Sequence, residues 1–338
     1  MTDSLRRVTE RRRRPRRRAL PLLTAAALAA SVLAIAACGV GSSDRATPCG
    51  STTQAAARAG SRAAVPRFTH VVVIAFENKA YGDVIGSRDA PTFNRLVRED
   101  ALLTRYCGVA HPSLPNYLAL VSGSTHGVTD DCTDCPVGGK SLADSLDAAH
   151  RTWKSYAEGL PHDGFTGGKA GRYAKKHNPF AYFTNVTRDP RRLAQIVPLS
   201  RFGGDLAARR LPAFSLVVPD LCHDMHDCSV TTGDRWLGGF LPRLLSSPQL
   251  RGGVVFIVFD EGDSGDHAGG GGHTIALAVG PTVRAGARAT VPLTHYSLLR
   301  TVEDAWSLPR LGRSAAAKPI EGIWRRSARR GAGAAPTG

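Results

Sequence analysis

A chain of 338 residues with 42% apolar residues is long enough to enclose a sizeable core, as one large domain or two small ones. The formal net charge of +16 suggests nucleic acid, but the excess sits at the ends: residues 1–18 hold nine arginines against Asp3 and Glu10, and residues 310–338 hold seven Lys or Arg against Glu321. The remaining 28 basic and 25 acidic residues nearly balance, so composition shows no basic patch on the body and no nucleic-acid partner is expected.

Along the chain, RRRRPRRRALPLLTAAALAASVLAIAAC is basic, then apolar, then small, the layout of an export signal rather than a membrane span. Ile35-Ala36-Ala37-Cys38 has the spacing of a bacterial lipobox, with Cys38 as the lipid attachment site. Residues 1–37 are therefore expected to be a lipoprotein-type signal peptide and residues 38–66, rich in Gly, Ser, Ala and Arg, a flexible tether. The expected location is the outer face of the bacterial cytoplasmic membrane through one acyl anchor, or the secreted fraction. Six further cysteines in an exported chain imply up to three disulfides. Cys132 with Cys135 and Cys222 with Cys228 suggest local loops, leaving Cys49 with Cys107; the alternative is a zinc site built from four of these thiols.

Folding is expected to begin near Phe68. FTHVVVIAF is a continuous β-branched run suited to a strand buried on both faces. APTFNRLVRED has helical spacing with Thr92 placed to cap it. In HPSLPNYLALVSG a helix opened by Pro115 leaves Ser113 just upstream, where unpaired backbone N–H groups point outward and favour an anion; the plainer reading is a helix cap. There follow a helix at SLADSLDAAH, strands at TWKSYAE and AFSLVV, a helix across DRWLGGFLPRLL, strands at GGVVFIVF and HTIALAVG, and a helix at HYSLLRTVEDAWSL. This alternation predicts an α/β fold, a three-layer α/β/α sandwich with a mostly parallel central sheet over residues 67–310. Residues 311–338, rich in Arg, Ala and Gly, read as a disordered basic tail.

Ligands in open α/β sheets gather beyond the carboxyl ends of the strands. There the sequence supplies Glu77 and Asn78, then Asp220, His223, Asp224, His226 and Asp227, then Asp260, Glu261 and Asp263. Each group alone has a plain reading as a turn, a disulfide-closed loop or a solvated acidic loop. Acids arriving from three strands at one edge repel one another unless a cation sits among them.

The segments HVVVIAFENKAYGDVIG, HPSLPNYLALVSG, LPAFSLVVPDLCHDMHDC, GDRWLGGFLPRLLSS, VVFIVFDEGD and HTIALAVGP together resemble the bacterial phosphoesterase family of acid phosphatases and phospholipase C-type enzymes, within the alkaline phosphatase superfamily. The resemblance covers residues 68–310 and implies an alkaline phosphatase-like fold and a metal-dependent hydrolysis of phosphate monoesters through a phosphoserine intermediate. It implies Ser113 as nucleophile, Asn116 as a hydrogen-bond donor to a phosphoryl oxygen, Glu77, Asn78, Asp260 and Glu261 as metal ligands, and His226 as a catalytic imidazole. Asp224 and His273 are implied in phosphate binding or as additional ligands. Asp260-Glu261-Gly262 stands where two-metal members carry Asp-His-Gly, which implies one ion rather than two. Oxygen ligands suit Mg, Ca or Mn, and added imidazoles favour Zn. The expected substrate is a small phosphate ester or a phospholipid head group. A phospholipase C-type phosphodiesterase and a non-catalytic cell-envelope binding protein are the alternatives. A sulfatase lacks its arginine in Ser113-Leu-Pro115-Asn-Tyr117, and a nucleophile-elbow hydrolase lacks its Gly-x-Ser-x-Gly frame.

Overall fold

The computed structural model describes residues 49–50 and 65–325. The expected signal segment, Cys38 and most of the tether lie outside these residues, as do positions 326–338. An eight-stranded sheet runs in the spatial order Arg288–Ala289, Ala101–Leu103, Ala276–Val279, Val254–Phe259, Val71–Phe76, Phe214–Val218, Trp153–Ala157, Ile196–Pro198. The five strands from Val254–Phe259 to Ile196–Pro198 pair in parallel, and Ala276–Val279 runs antiparallel to both its neighbours.

Val71–Phe76 and Val254–Phe259 are buried along their whole length because helices cover both faces. Val71, Val73 and Ala75 join the core beneath the helices Ser113–Ser122 and His295–Trp306. Val72, Ile74 and Phe76 join the opposite core, beneath Pro91–Glu99, Ser200–Ala207 and Val230–Leu245. The three-layer α/β/α sandwich follows directly from this period of two. Among the described residues, no helix is long and apolar enough to cross a membrane. Among the described residues three disulfides form, Cys49–Cys107, Cys132–Cys135 and Cys222–Cys228.

Three local expectations need correction. The helix at Ser113 begins at Ser113 itself rather than at Pro115, with Pro112 as the residue before it; Pro115 is tolerated inside because the first turn needs no amide donor. Thr92 does not cap its helix: Pro91 opens it, and the Thr92 and Phe93 amides donate to the Asp234 carboxylate instead. The chain after residue 310 is not a loose tail as far as Arg325. Ile320, Ile323 and Trp324 are buried in the first core, and Phe68 meets the Trp324 ring edge-on.

Candidate active site

The carboxyl ends of Val71–Phe76, Phe214–Val218 and Val254–Phe259 deliver Glu77, the loop 219–228 and Asp260 to one edge. Their registry is fixed by backbone bonds from Glu77 N to Asp224 O at 2.9 Å and from Asp260 N to Phe76 O at 3.0 Å. Asn78 takes a left-handed φ of 51°, which asparagine tolerates. Its amide donates to Asp260 Oδ1 at 3.0 Å. The plain turn reading and the site reading of Glu77-Asn78 thus describe one structure.

Ser113 enters from the start of its helix. Its hydroxyl donates to Glu77 Oε2 at 2.9 Å. Tyr117, one turn on, donates to Glu77 Oε1. Leu114 N donates to Asp131 Oδ1 at 3.0 Å, so one of the helix's free amides is already used.

His177 completes the floor. Nε2 lies 3.3 Å from Glu77 Oε2 and Nδ1 3.1 Å from Asp224 Oδ2, and its ring stacks on Tyr117. His226 stands beside it at 5.7 Å between ring centres, with Nδ1 2.6 Å from Asp227 Oδ1 and Nε2 3.2 Å from Lys176 Nζ. Lys176 also donates to Asp131 Oδ2 at 2.7 Å. Glu77, His177 and His226 each present a ligand atom within 4.8 Å of the others.

The electrostatics call for a positive charge. Burial, followed by the charges of Asp260 and Asp224, holds the Glu77 carboxyl well above the usual range. Burial likewise raises Asp260, pushes Asp224 up to about 7 and, with Asp260 beside it, pushes Glu261 up to about 9. His177 cannot neutralise them, because burial and then the Lys176 charge push its pKa down to about 3. Asn78 Oδ1, Asp260 Oδ2, Asp224 Oδ2 and His177 Nε2 are buried without a hydrogen-bond partner. Orphaned polar atoms of this kind are rare in folded chains. A cluster of them around buried carboxylates fits a divalent cation with oxygen donors and an added imidazole.

The remaining expected residues are placed differently. Glu261 Oε2 is engaged by His111 Nδ1 at 2.9 Å and Asn116 Nδ2 at 3.3 Å. Both ends of the Asn116 amide also bond to its own loop: Oδ1 accepts from the Val109 and Ala110 amides, and Nδ2 donates to the Ala110 and Pro112 carbonyls. His273 Nε2 faces Thr104 O at 3.0 Å and the ring stacks on Tyr81, so the structure ties it to the sheet periphery. Sequence reasoning missed His177, Lys176, Asp131 and His111. The first two sit in a 3-10 turn, Lys175–His177, that no periodicity marks; a Lys-Lys-His run inside a Tyr- and His-containing stretch was the only signal.

Comparison with known proteins bears on the family and the fold. Residues 87–309 match the Phosphoesterase family. The chain is 35% identical over 264 residues to a phosphatidylinositol-3-phosphatase of Mycobacterium tuberculosis, covering 77% of this chain and 84% of that protein. It is 33% identical to a phosphate-repressible acid phosphatase of Penicillium chrysogenum and 32% identical to an acid phosphatase of Aspergillus niger. These alignments cover 65% and 73% of this chain but only 55% and 60% of the fungal proteins. In fold, the chain resembles a Vibrio parahaemolyticus protein of the alkaline phosphatase superfamily, with a TM-score of 0.51 at 13% identity over 76% of this chain and 71% of the other. The lipoteichoic acid synthase LtaP of Listeria monocytogenes gives a TM-score of 0.51 at 10% identity over 72% and 73%. The chain belongs to the phosphoesterase family, on the alkaline phosphatase superfamily fold, and is a hydrolase of phosphate esters.

Proposed function

We propose that this chain hydrolyses phosphate monoesters with Ser113 as nucleophile. The observation that carries the reading is the Ser113 hydroxyl, 2.9 Å from Glu77 Oε2, beside buried oxygens of Asn78, Asp224 and Asp260 that lack partners. Glu77, Asn78 and Asp260 would hold a divalent cation, which supplies positive charge to lower the hydroxyl pKa and to offset the phosphoryl oxygens. The hydrogen bond to Glu77 directs the hydroxyl proton away from the attacking lone pair.

In this reading Ser113 Oγ bonds to phosphorus as its proton passes to Glu77 Oε2 and the ester P–O bond breaks, and His226 at the more open rim would give the leaving oxygen a proton. Water then bonds to phosphorus as it gives a proton to His226 and the Oγ–P bond breaks, and Glu77 returns its proton to Oγ, which releases inorganic phosphate and restores the serine. Lys176, fixed between Asp131 and His226, offers a further cation to the phosphate. Glu261 is braced by His111 and Asn116 and completes the acid cluster.

The monoester reading rests on relatives named as phosphatases, among them one named for a phosphoinositide. A phosphate monoester on a small molecule or on a phospholipid head group is therefore the substrate class. Three disulfides support an exported chain, because they persist in oxidising compartments.

The test is hydrolysis of p-nitrophenyl phosphate and bis-p-nitrophenyl phosphate with and without chelator. Monoester turnover that chelator abolishes and added metal restores is the expected outcome. Preferential diester turnover would support a phospholipase C-type enzyme instead, and silence on both would leave a binding protein.

A further inference from the structure

A second group of ligand-type side chains lies one strand pair along the same sheet edge. Trp153–Ala157 and Phe214–Val218 pair in parallel, so Glu158 and Asp220 leave the sheet side by side. His223 Nδ1 lies 2.9 Å from Glu158 Oε2 and 3.4 Å from Asp220 Oδ1. All three residues present a ligand atom within 4.8 Å of the others. We propose that Glu158, Asp220 and His223 form a second divalent-cation site, separate from the Ser113 centre and suited to zinc or manganese.

The spacing fits an ion. Metal–ligand bonds of about 2.0–2.1 Å at tetrahedral angles put neighbouring donor atoms about 3.3 Å apart. The two His223 distances bracket that value. One imidazole and two carboxylates are also a donor set that zinc and manganese both accept.

Charge points the same way. Among the described residues, His223 is the only basic side chain within ion-pairing distance of either carboxylate. Two adjacent acids and one imidazole leave net negative charge that a divalent ion offsets, with the Nδ1 proton released to solvent as the ion binds.

The donors are held in place before any ion arrives. Asp220 Oδ1 accepts from the Cys222 and His223 amides, each at 3.0 Å, and Asp220 N donates to Glu158 Oε2 at 3.0 Å. The Cys222–Cys228 disulfide closes the loop, and the His223 ring stacks on Trp236. Side-chain exposures of 26%, 12% and 32% for Glu158, Asp220 and His223 leave an open position for water or a ligand oxygen. The same loop carries Asp224 and His226, and Asp224 O accepts from Glu77 N. An ion here would brace the loop that shapes the Ser113 centre.

The experiment is zinc titration of the full chain after chelator stripping and dialysis, with bound zinc counted by elemental analysis and affinity read by calorimetry. Glu158→Gln keeps the side-chain shape and an oxygen acceptor for Asp220 N. It is expected to lose one zinc equivalent, or to bind it at least tenfold more weakly, while still melting cooperatively. His223→Ala is expected to do the same, and if it fails to fold Glu158→Gln decides alone. Glu77→Gln, which alters the other centre, is expected to keep this equivalent. Zinc stoichiometry and affinity in Glu158→Gln within tenfold of the parent would overturn the proposal, as would loss of the only equivalent in Glu77→Gln.

Discussion

Ser113 and Glu77 are 36 positions apart in sequence, yet the serine hydroxyl donates to the glutamate Oε2 at 2.9 Å with both side chains buried. A helix start and a strand end meet there, the one bringing a hydroxyl and the other a carboxylate. Burying an ionised carboxylate beside a neutral hydroxyl and two further acids is costly. Such a contact is sensible where a cation shares the load, and the unpartnered oxygens of Asn78 and Asp260 lie in the same cluster.

Asp131 ties the Ser113–Ser122 helix to the rim of the proposed site. Its Oδ1 accepts the Leu114 amide and its Oδ2 the Lys176 ammonium. Asp131→Ala removes a helix-start acceptor and frees the lysine that faces His226. The expected outcome is a loss of about 1–2 kcal/mol in denaturant unfolding together with a fall in kcat/KM. Unchanged unfolding and unchanged turnover would show that the bridge is idle.

The end of the same helix depends on glycine. Gly123 has a φ of +72°, and a Cβ there would stand 2.0 Å from Leu311 O. Backbone pairing from Arg313 N to Gly123 O at 2.8 Å makes the approach necessary. Gly123→Ala combines left-handed strain with a backbone clash, for an expected loss of at least about 2 kcal/mol. Calorimetric melting checks this, and a variant melting at the parent temperature would contradict it.

Glu303 gives the fold a pH dependence of its own, away from the site. Burial pushes its carboxyl up to about 7, against bonds from Ser314 Oγ and Leu311 N that favour the charged form. Between the ordinary value of 4.5 and about 7 the folded chain holds a proton that the unfolded chain has lost. Stability from this group is therefore full below the lower value and lost as pH rises through the upper one. Glu303→Gln should flatten that decline, an effect on the order of 1–3 kcal/mol near pH 8. Parallel stability–pH curves for parent and variant would refute it.

Much of this architecture was legible in the chain itself because its strands are unambiguous. VVVIAF and VVFIVF are too short for helices and too apolar for exposed strands, and the carboxylates that follow them fall at one sheet edge for topological reasons. The placement of Ser113 at a helix start was legible through its flanking prolines. His177 was not, because its place beside Glu77 and Asp224 comes from a 3-10 turn packed against the Ser113–Ser122 helix, a contact made only in three dimensions. For Asn116 the residue type suits a phosphoryl oxygen, while in the structure both ends of its amide bond to the neighbouring backbone, a use that the residue type does not reveal. Trp324 was hidden by composition, since an Arg- and Ala-rich stretch masks three apolar residues that pack into the core.

The most direct measurement is kcat/KM of Ser113→Ala for p-nitrophenyl phosphate, made on a variant shown to melt like the parent. Removal of the oxygen proposed to attack is expected to lower it by about a thousandfold or more. A variant that keeps turnover within tenfold of the parent would contradict the assignment of Ser113 as the group that attacks phosphorus.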